Sequence, residues 1–311
     1  MSLSVPQLAK TNPLYAPLQW LIFPAMFLLP LYMGYSALQA GWSVAAVTYG
    51  TLIFLWTLVF VTERLMPYRE SWNTPDEDVL NDMVSGGIAY GLLPLLLKPL
   101  YIAILAGLTV SLANWYDGSF WPSEWPIWMQ LILLLLAGDA GRYWGHRLSH
   151  TVPFLWRFHA VHHSASRLWF FNAIRQHPID KAWFTFTELF FPIILGASGD
   201  VLALYFIATL VCGTFQHTNM DVKLGPLYYL FNIVDLHRWH HSKDIRESDN
   251  NYGNNLIVYD ILFGTRYLPE DNGTRQVADI GLINPEYPKH YLGQFLAPFR
   301  KGRLDKEQPK K

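Results

Sequence analysis

Charge is scarce in this chain. Acidic and basic residues make up 15% of its 311 residues, where a soluble domain carries about 25%, so a water-soluble globule of this size is excluded. The formal net charge is -1, and the basic residues gather into no stripe, which removes nucleic acid as a partner. A single cysteine, Cys212, is present, so neither an internal disulfide framework nor a four-cysteine metal site is available. Its place in the apolar run 202–215 reads as a buried, inert thiol. The chain also lacks Gly-x-Gly-x-x-Gly, and with it a dinucleotide site, and lacks His-Glu-x-x-His. No cleavable signal peptide is expected, because one lysine and three prolines open the chain and the apolar run behind them continues into a second one. The ending, Gln308-Pro309-Lys310-Lys311, carries no lipidation or retention signal.

What the chain has instead is apolar surface: 51% of residues are hydrophobic and 16% aromatic. Four apolar stretches precede the histidines. Residues 18–38 are long enough to cross a bilayer, which needs about 20 residues, with Pro24 and Pro30 expected to kink the helix. Residues 43–61 carry no charge. Residues 83–112 are interrupted by Pro94, Lys98 and Pro99, as one bent helix or a broken pair would be. Residues 127–140 form the fourth, and their pattern runs on unbroken into residues 141–146. Two further pieces, 183–195 and 201–215, flank a Gly-Ala-Ser-Gly link. They read as a helical hairpin that dips into the bilayer and returns, with two full crossings as the alternative.

The loops set an orientation. Residues 39–42 are uncharged, and the segment 115–128 is rich in tryptophan (Trp115, Trp121, Trp125, Trp128) without Lys or Arg. Arg64 and Arg69 follow the second span, and Arg142, Arg147, Arg157, Arg167, Arg175 and Lys181 follow the fourth. The positive-inside rule then puts the N-terminus and the histidine region on the cytoplasmic side. The expected fold is an all-α integral membrane protein: about four transmembrane helices and a membrane-dipping hairpin, capped by a cytoplasmic, helical, histidine-rich metal site. The chain reads as one membrane domain, with a membrane-spanning anchor over 1–126, a catalytic region over 127–267 and a polar tail over 268–311. The basic run Arg300-Lys301-Gly302-Arg303 suits anionic lipid as well as it suits a plainly solvated end.

Ten of the eleven histidines fall between positions 146 and 241. His146 and His150 are four apart on the extension of an apolar helix, one turn apart on one face. His159, His162 and His163 form a His-x-x-His-His set, and His237, His240 and His241 repeat it. His177 and His217 stand singly between them. His290, beside Lys289, reads as a surface residue. A metal needs several imidazoles converging within about 2 Å, and helical spacings deliver them from a rigid element. Ten are too many for one ion and suit two. Imidazole serves Zn, Cu, Fe and Ni alike, so ligand type alone names no metal.

The run from Asp139 to His150, with Tyr143-Trp144-Gly145-His146-Arg147 at its centre, resembles the first histidine box of the fatty acid hydroxylase and sterol desaturase superfamily. His159-Ala160-Val161-His162-His163-Ser164 is similar to the second box, and His237-Arg238-Trp239-His240-His241-Ser242 to the third. Arg175-Gln176-His177-Pro178, Gln216-His217, Asn251-Tyr252-Gly253 and the stretch 260–265 match the segments between and after them, so the resemblance covers about residues 131–267. It implies two iron ions (Fe2+/Fe3+), dioxygen as co-substrate, and hydroxylation of a lipid C–H bond, with desaturation by the same site as the alternative. The implied substrates are sterols, fatty acyl chains, alkylglycerols or aminolipids. Electrons must then come from outside, from a cytochrome or ferredoxin-type partner or a reduced pterin.

A ligating imidazole usually gives its second N–H to a carboxylate or carbonyl. Four residues are candidates for that place: Asp139, two turns before His146; Asn172, between the second box and His177; Glu188, inside an apolar run; and Asp235, just before the third box. A zinc-dependent hydrolase is disfavoured, since no carboxylate stands among the histidines of any box to act as general base. A metal transporter is disfavoured because the spans before the boxes hold few intramembrane acids or histidines, with Lys98 the clear charge there.

Overall fold

Long apolar runs have no water to satisfy their backbone, so they close their hydrogen bonds within helices. The computed structural model describes residues 7–116, 120–269 and 276–300. It is all-helical: among these residues no strand forms, only isolated bridges such as Pro67 to Met220 and Phe231 to Leu256. Helix α1 (Tyr15–Gln39) runs through both Pro24 and Pro30. Helix α2 (Val44–Leu65) starts at Ser43, whose side chain accepts from the Ala46 N–H. Helix α3 (Val79–Gly86) passes through a π-helical stretch, Gly87–Leu92, into α4 (Leu93–Tyr116). The run with two possible readings is therefore one continuous helical path. Pro94 cannot donate to the turn before it, and a widened π turn is one way a helix absorbs such a defect.

The clustered histidines lie on or beside the next five helices: α5 (Ile127–Thr151), α6 (Pro153–His163), α7 (Pro178–Ile194), α8 (Gly199–His217) and the short α9 (Asp235–His240). Short helices α10 (Ile245–Ser248), α11 (Val258–Leu262) and α12 (Tyr291–Leu296) come after them. Prolines at the first turns of α6 and α7 start both helices where a missing N–H costs nothing.

Four helical runs are long and apolar enough to cross a membrane: α1, α2, the joined run Val79–Trp115, and α8. The number agrees with expectation, but the fourth member differs. Residues 127–140 are the first half of α5, whose second half carries Asp139, Arg142, His146, Arg147 and His150 and is too polar for a span. The two pieces expected as a hairpin are α7 and α8, joined by a turn at Gly196, which takes φ +80°; they do not lie against each other as hairpin arms, since α7 packs on α4 and α5. Helix α8 is the centre of the bundle, packed on α1, α2 and α5, and at its site end Phe23 meets Phe215 and Phe231 edge to face.

Among the described residues α5 and α7 share the most extensive helix–helix contact, and α5 presents glycines there. A Cβ at Gly141 would lie 1.9 Å from the Thr187 carbonyl oxygen, and one at Gly145 would lie 2.5 Å from Thr187 Oγ1. Small residues that let backbones touch are a common device between membrane helices. Part of the expected polar tail also folds back. Gln294 accepts from Asn81 Nδ2 at 3.0 Å and donates to Ser164 Oγ at 3.0 Å, tying α12 to α3 and to the end of α6. Residues 301–303 of the basic run and the Lys98 side chain lie outside the described residues.

Candidate metal centre

The histidine-bearing ends of α5, α6, α8 and α9 meet at one end of the bundle, beside the C-terminus of α2. Glu63, near that terminus and 1% exposed, accepts from the Phe170 and Asn219 backbone N–H groups at 2.8 and 2.7 Å and from Thr218 Oγ1 at 3.0 Å. It clamps the loops that follow the second box and His217. The motifs do not single out this acid, and its one signal is its place: an acid on an apolar helix is expensive unless fully bonded.

Nine histidines gather here into two groups. His146, His150, His159, His163 and His240 form one, and His162, His217, His237 and His241 the other; within each group one nitrogen from every ring lies within 4.8 Å of the others, and every ring is buried. The groups touch where His163 stacks on His241 at 4.4 Å. His177 lies in neither. It caps the N-terminus of α7, its Nδ1 accepting from the Ile179 N–H at 3.1 Å while its Nε2 faces the Phe295 carbonyl at 3.2 Å.

The outer ring nitrogens fix the tautomers. His146 Nδ1 lies 2.8 Å from the Tyr252 carbonyl, His240 Nδ1 2.7 Å from the Asn250 carbonyl, and His162 Nδ1 3.1 Å from the Arg175 carbonyl. Carbonyls only accept, so these nitrogens carry the proton. His217 Nδ1 lies 2.8 Å from Asn172 Oδ1, whose amide nitrogen donates to the Arg167 carbonyl. The inner Nε2 atoms are then bare lone pairs, and His162 Nε2 and His217 Nε2 face each other at 3.2 Å. No hydrogen bond joins two lone pairs. His146 and His159 Nε2 repeat the arrangement at 3.1 Å, and His240 Nε2 is buried without a hydrogen-bond partner among the described residues. Protonation does not relieve the repulsion: burial, reinforced by neighbouring imidazoles, holds His159, His163, His237, His240 and His241 well below their ordinary value, and burial brings His162 to about 3. Converging neutral imidazoles with inward lone pairs are the donor set a metal cation takes. The chemistry of both groups therefore fits metal ions.

Of the four residues expected behind the rings, the structure places Asn172 there and the others elsewhere. Asp139 accepts from the Asn255 side chain and the Asn255 and Leu256 N–H groups at 2.8, 3.0 and 2.5 Å. Two turns of helix put it about 10 Å along the axis from His146, beyond side-chain reach. Glu188 accepts from Tyr205 OH at 3.1 Å, far up α7 from the site. Asp235 pairs with Arg238 at 2.6 Å and accepts from Tyr228 OH. Two acids that the sequence reading misses stand where those were expected: Asp180 Oδ2 is 3.1 Å from His159 Nδ1, and Asp249 Oδ1 is 3.3 Å from His150 Nδ1. Burial pushes Asp180 up to about 7 against the pull of Arg142 and Lys181; a cation beyond the His159 ring favours its carboxylate form. Asp180 follows His177-Pro178 in the first turn of α7, and that proximity is the one signal available.

Further supports radiate outward. Asp260, fully buried, accepts from the Tyr252 and Gly253 N–H groups at 2.8 and 2.7 Å and so fixes the carbonyl that orients His146. Arg175, whose carbonyl orients His162, pairs with Asp82 at 2.5 Å, and Arg167 pairs with Asp78 at 2.7 Å. A pocket on the polar side, lined in part by Trp156, Ser242, Lys243 and Asp249, reaches the edges of His150 and His163.

Comparison with known proteins adds an independent line. The family model described as Fatty acid hydroxylase matches residues 131–265, the stretch that holds all nine grouped histidines. Ornithine lipid hydroxylase OlsE of Rhizobium tropici is 35% identical over 304 residues, covering 95% of this chain and 88% of that protein. The alkylglycerol monooxygenase of Xenopus tropicalis is 34% identical over 150 residues, covering 48% of this chain and 32% of that protein. The alkylglycerol monooxygenase of Caenorhabditis elegans is 30% identical over 219 residues, covering 70% and 42%. No solved structure matches the chain.

Proposed function

This chain belongs to the fatty acid hydroxylase and sterol desaturase superfamily, and from that premise we propose that it is a di-iron, dioxygen-dependent lipid hydroxylase acting on an aminolipid of the ornithine-lipid kind. The observation that carries the metal reading is the His162–His217 contact, two buried lone pairs 3.2 Å apart. Support for the substrate class is the likeness to ornithine lipid hydroxylase along nearly the whole chain. The four long apolar helices make it a membrane protein, which brings a lipid and the site into one phase. The charge of the loops supports a cytoplasmic site, within reach of an external electron donor.

Two iron ions bound by the two groups would supply the activation of dioxygen. The rest falls to this chain's own residues. The nine imidazoles present neutral Nε2 or Nδ1 donors from three helix ends and the end of α8. The carbonyls of Tyr252, Asn250 and Arg175, the Asn172 amide and the Asp180 and Asp249 carboxylates hold six of the Nδ1 protons outward, so those six rings keep their lone pairs inward without rearrangement. Burial of every ring keeps bulk water from the oxidising site.

The test is lipid mass spectrometry of a host making ornithine lipid, with and without the chain, under heavy-isotope dioxygen. An ornithine lipid gaining one labelled oxygen atom, abolished by His162→Ala, is the expected result. A lipid that only loses two hydrogens makes the protein a desaturase, and a cleaved alkylglycerol moves it to the monooxygenase substrate class. Turnover without iron refutes the metal assignment.

A further inference from the structure

The two histidine groups differ in what stands behind their rings. Behind the five-histidine group are two carboxylates: Asp180, 2% exposed, 3.1 Å from His159 Nδ1, and Asp249, 3.3 Å from His150 Nδ1. Behind the four-histidine group the ring partners are neutral, the Asn172 amide oxygen and the Arg175 carbonyl. The carboxylates near that second group are committed to other bonds. Glu63 takes two backbone N–H groups and a hydroxyl, and Asp82 takes Arg175 and the Trp169 indole N–H at 3.0 Å. The cations beside its ligands and their partners, the buried Arg175 and Arg238, are each paired with a carboxylate, Asp82 and Asp235.

A bare cation is costly to bring into a buried site, and opposite charge held close by lowers that cost. A carboxylate that accepts the outer ring proton also makes the inner nitrogen a stronger donor and fixes its direction. The five-histidine group has this assistance twice and one ligand more. The four-histidine group has only neutral acceptors, and the charges around it are spent on one another.

The geometry points to two unequal metal positions: the five-histidine position fills first and holds its ion more tightly, with Asp180 and Asp249 as the positioning residues that make it so. This rests on both groups being metal positions. A purely structural role for the Asp180–His159 pair predicts loss of folding stability when it is broken, and no selective change in one metal step.

The experiment uses the purified full chain, stripped of metal and titrated anaerobically with ferrous iron against a chromophoric chelator, with thermal melting recorded alongside. The expected wild-type result is two ions in two resolved steps. Asp180→Asn weakens the tight step about 10- to 100-fold and leaves the weak step in place, while Asp180→Glu recovers part of the loss. Asp249→Asn moves the same step; that carboxylate is 21% exposed, so its exchange spares the fold. Asn172→Ala moves the weak step only. Two equal steps in the wild type, or acid variants that keep wild-type affinity or lose both steps together, overturn the proposal. A wild-type chain that takes up no iron at all overturns the reading of the groups as metal positions, and the proposal with it.

Discussion

Replacing Gly141 with alanine tests whether the fit of α5 against α7 positions the site. The added Cβ would stand 1.9 Å from the Thr187 carbonyl oxygen, and because that obstacle is backbone no side-chain rotamer relieves it. The helices must part by about 1.5 Å to restore an ordinary 3.4 Å contact. Overpacking of this kind costs about 1–3 kcal/mol, which a chain of this size survives. The site does not survive it as well. His146 and His150 ride on the same helix as Gly141, and Asp180 on its partner. Metal ligation tolerates about 0.2 Å, and a misplacement of about 1 Å costs on the order of 100-fold in rate. The expected outcome is a chain that still inserts into membranes, melts lower, holds less than half its iron and turns over about 100-fold more slowly. Gly50→Ala in α2 is the control: its Cβ meets nothing within 4 Å, and helical alanine stabilises by about 0.5–1 kcal/mol. Melting in detergent, iron per chain and lipid product are the three readouts. Wild-type iron content and turnover in Gly141→Ala would refute the idea that this contact sets the ligand geometry.

The histidines supply two more expected outcomes. His177→Ala removes the cap of α7 and lowers the melting temperature, at a cost of about 1 kcal/mol, yet leaves iron content unchanged, whereas His162→Ala lowers iron content; metal analysis of both variants decides, and loss of iron from His177→Ala contradicts the geometry. Burial holds His162 at about 3 and His177 at about 4, against an ordinary value of about 6.5, so the fold favours the neutral ring. That contribution is fully present above about pH 6.5 and is lost as pH falls toward 4. The metal-free chain should therefore melt progressively lower from pH 7 to pH 5 and the iron-loaded chain less so, as scanning calorimetry will show; a flat profile for the metal-free chain contradicts it.

The histidine boxes are readable because helical spacing is written directly in sequence, yet the division of their members between two groups cuts across the boxes. Residues four apart on a helix point nearly the same way, and residues three apart diverge by about 60°. His159 and His163 accordingly go together, as do His146 and His150, and His237 and His241. The middle members, His162 and His240, cross to the opposite group. Each His-x-x-His-His set thus serves both positions, two rings to one and one to the other, so the arrangement follows from angle alone once the boxes are known to be helical. What stands behind the rings has no such local rule. Asp139 shares a face with His146 but is two turns distant, so facing gives direction without reach. Asp249 reaches His150 across 99 residues of sequence, and Asp180 reaches His159 only because the loop between α6 and α7 folds back through Asn172 and Arg175. Contacts of that kind depend on the packing of α5 on α7 and on the clamp of Glu63, and neither leaves a periodic trace. The ligands are legible because one helix presents them, and the acids that support them are not, because several elements must meet before they do.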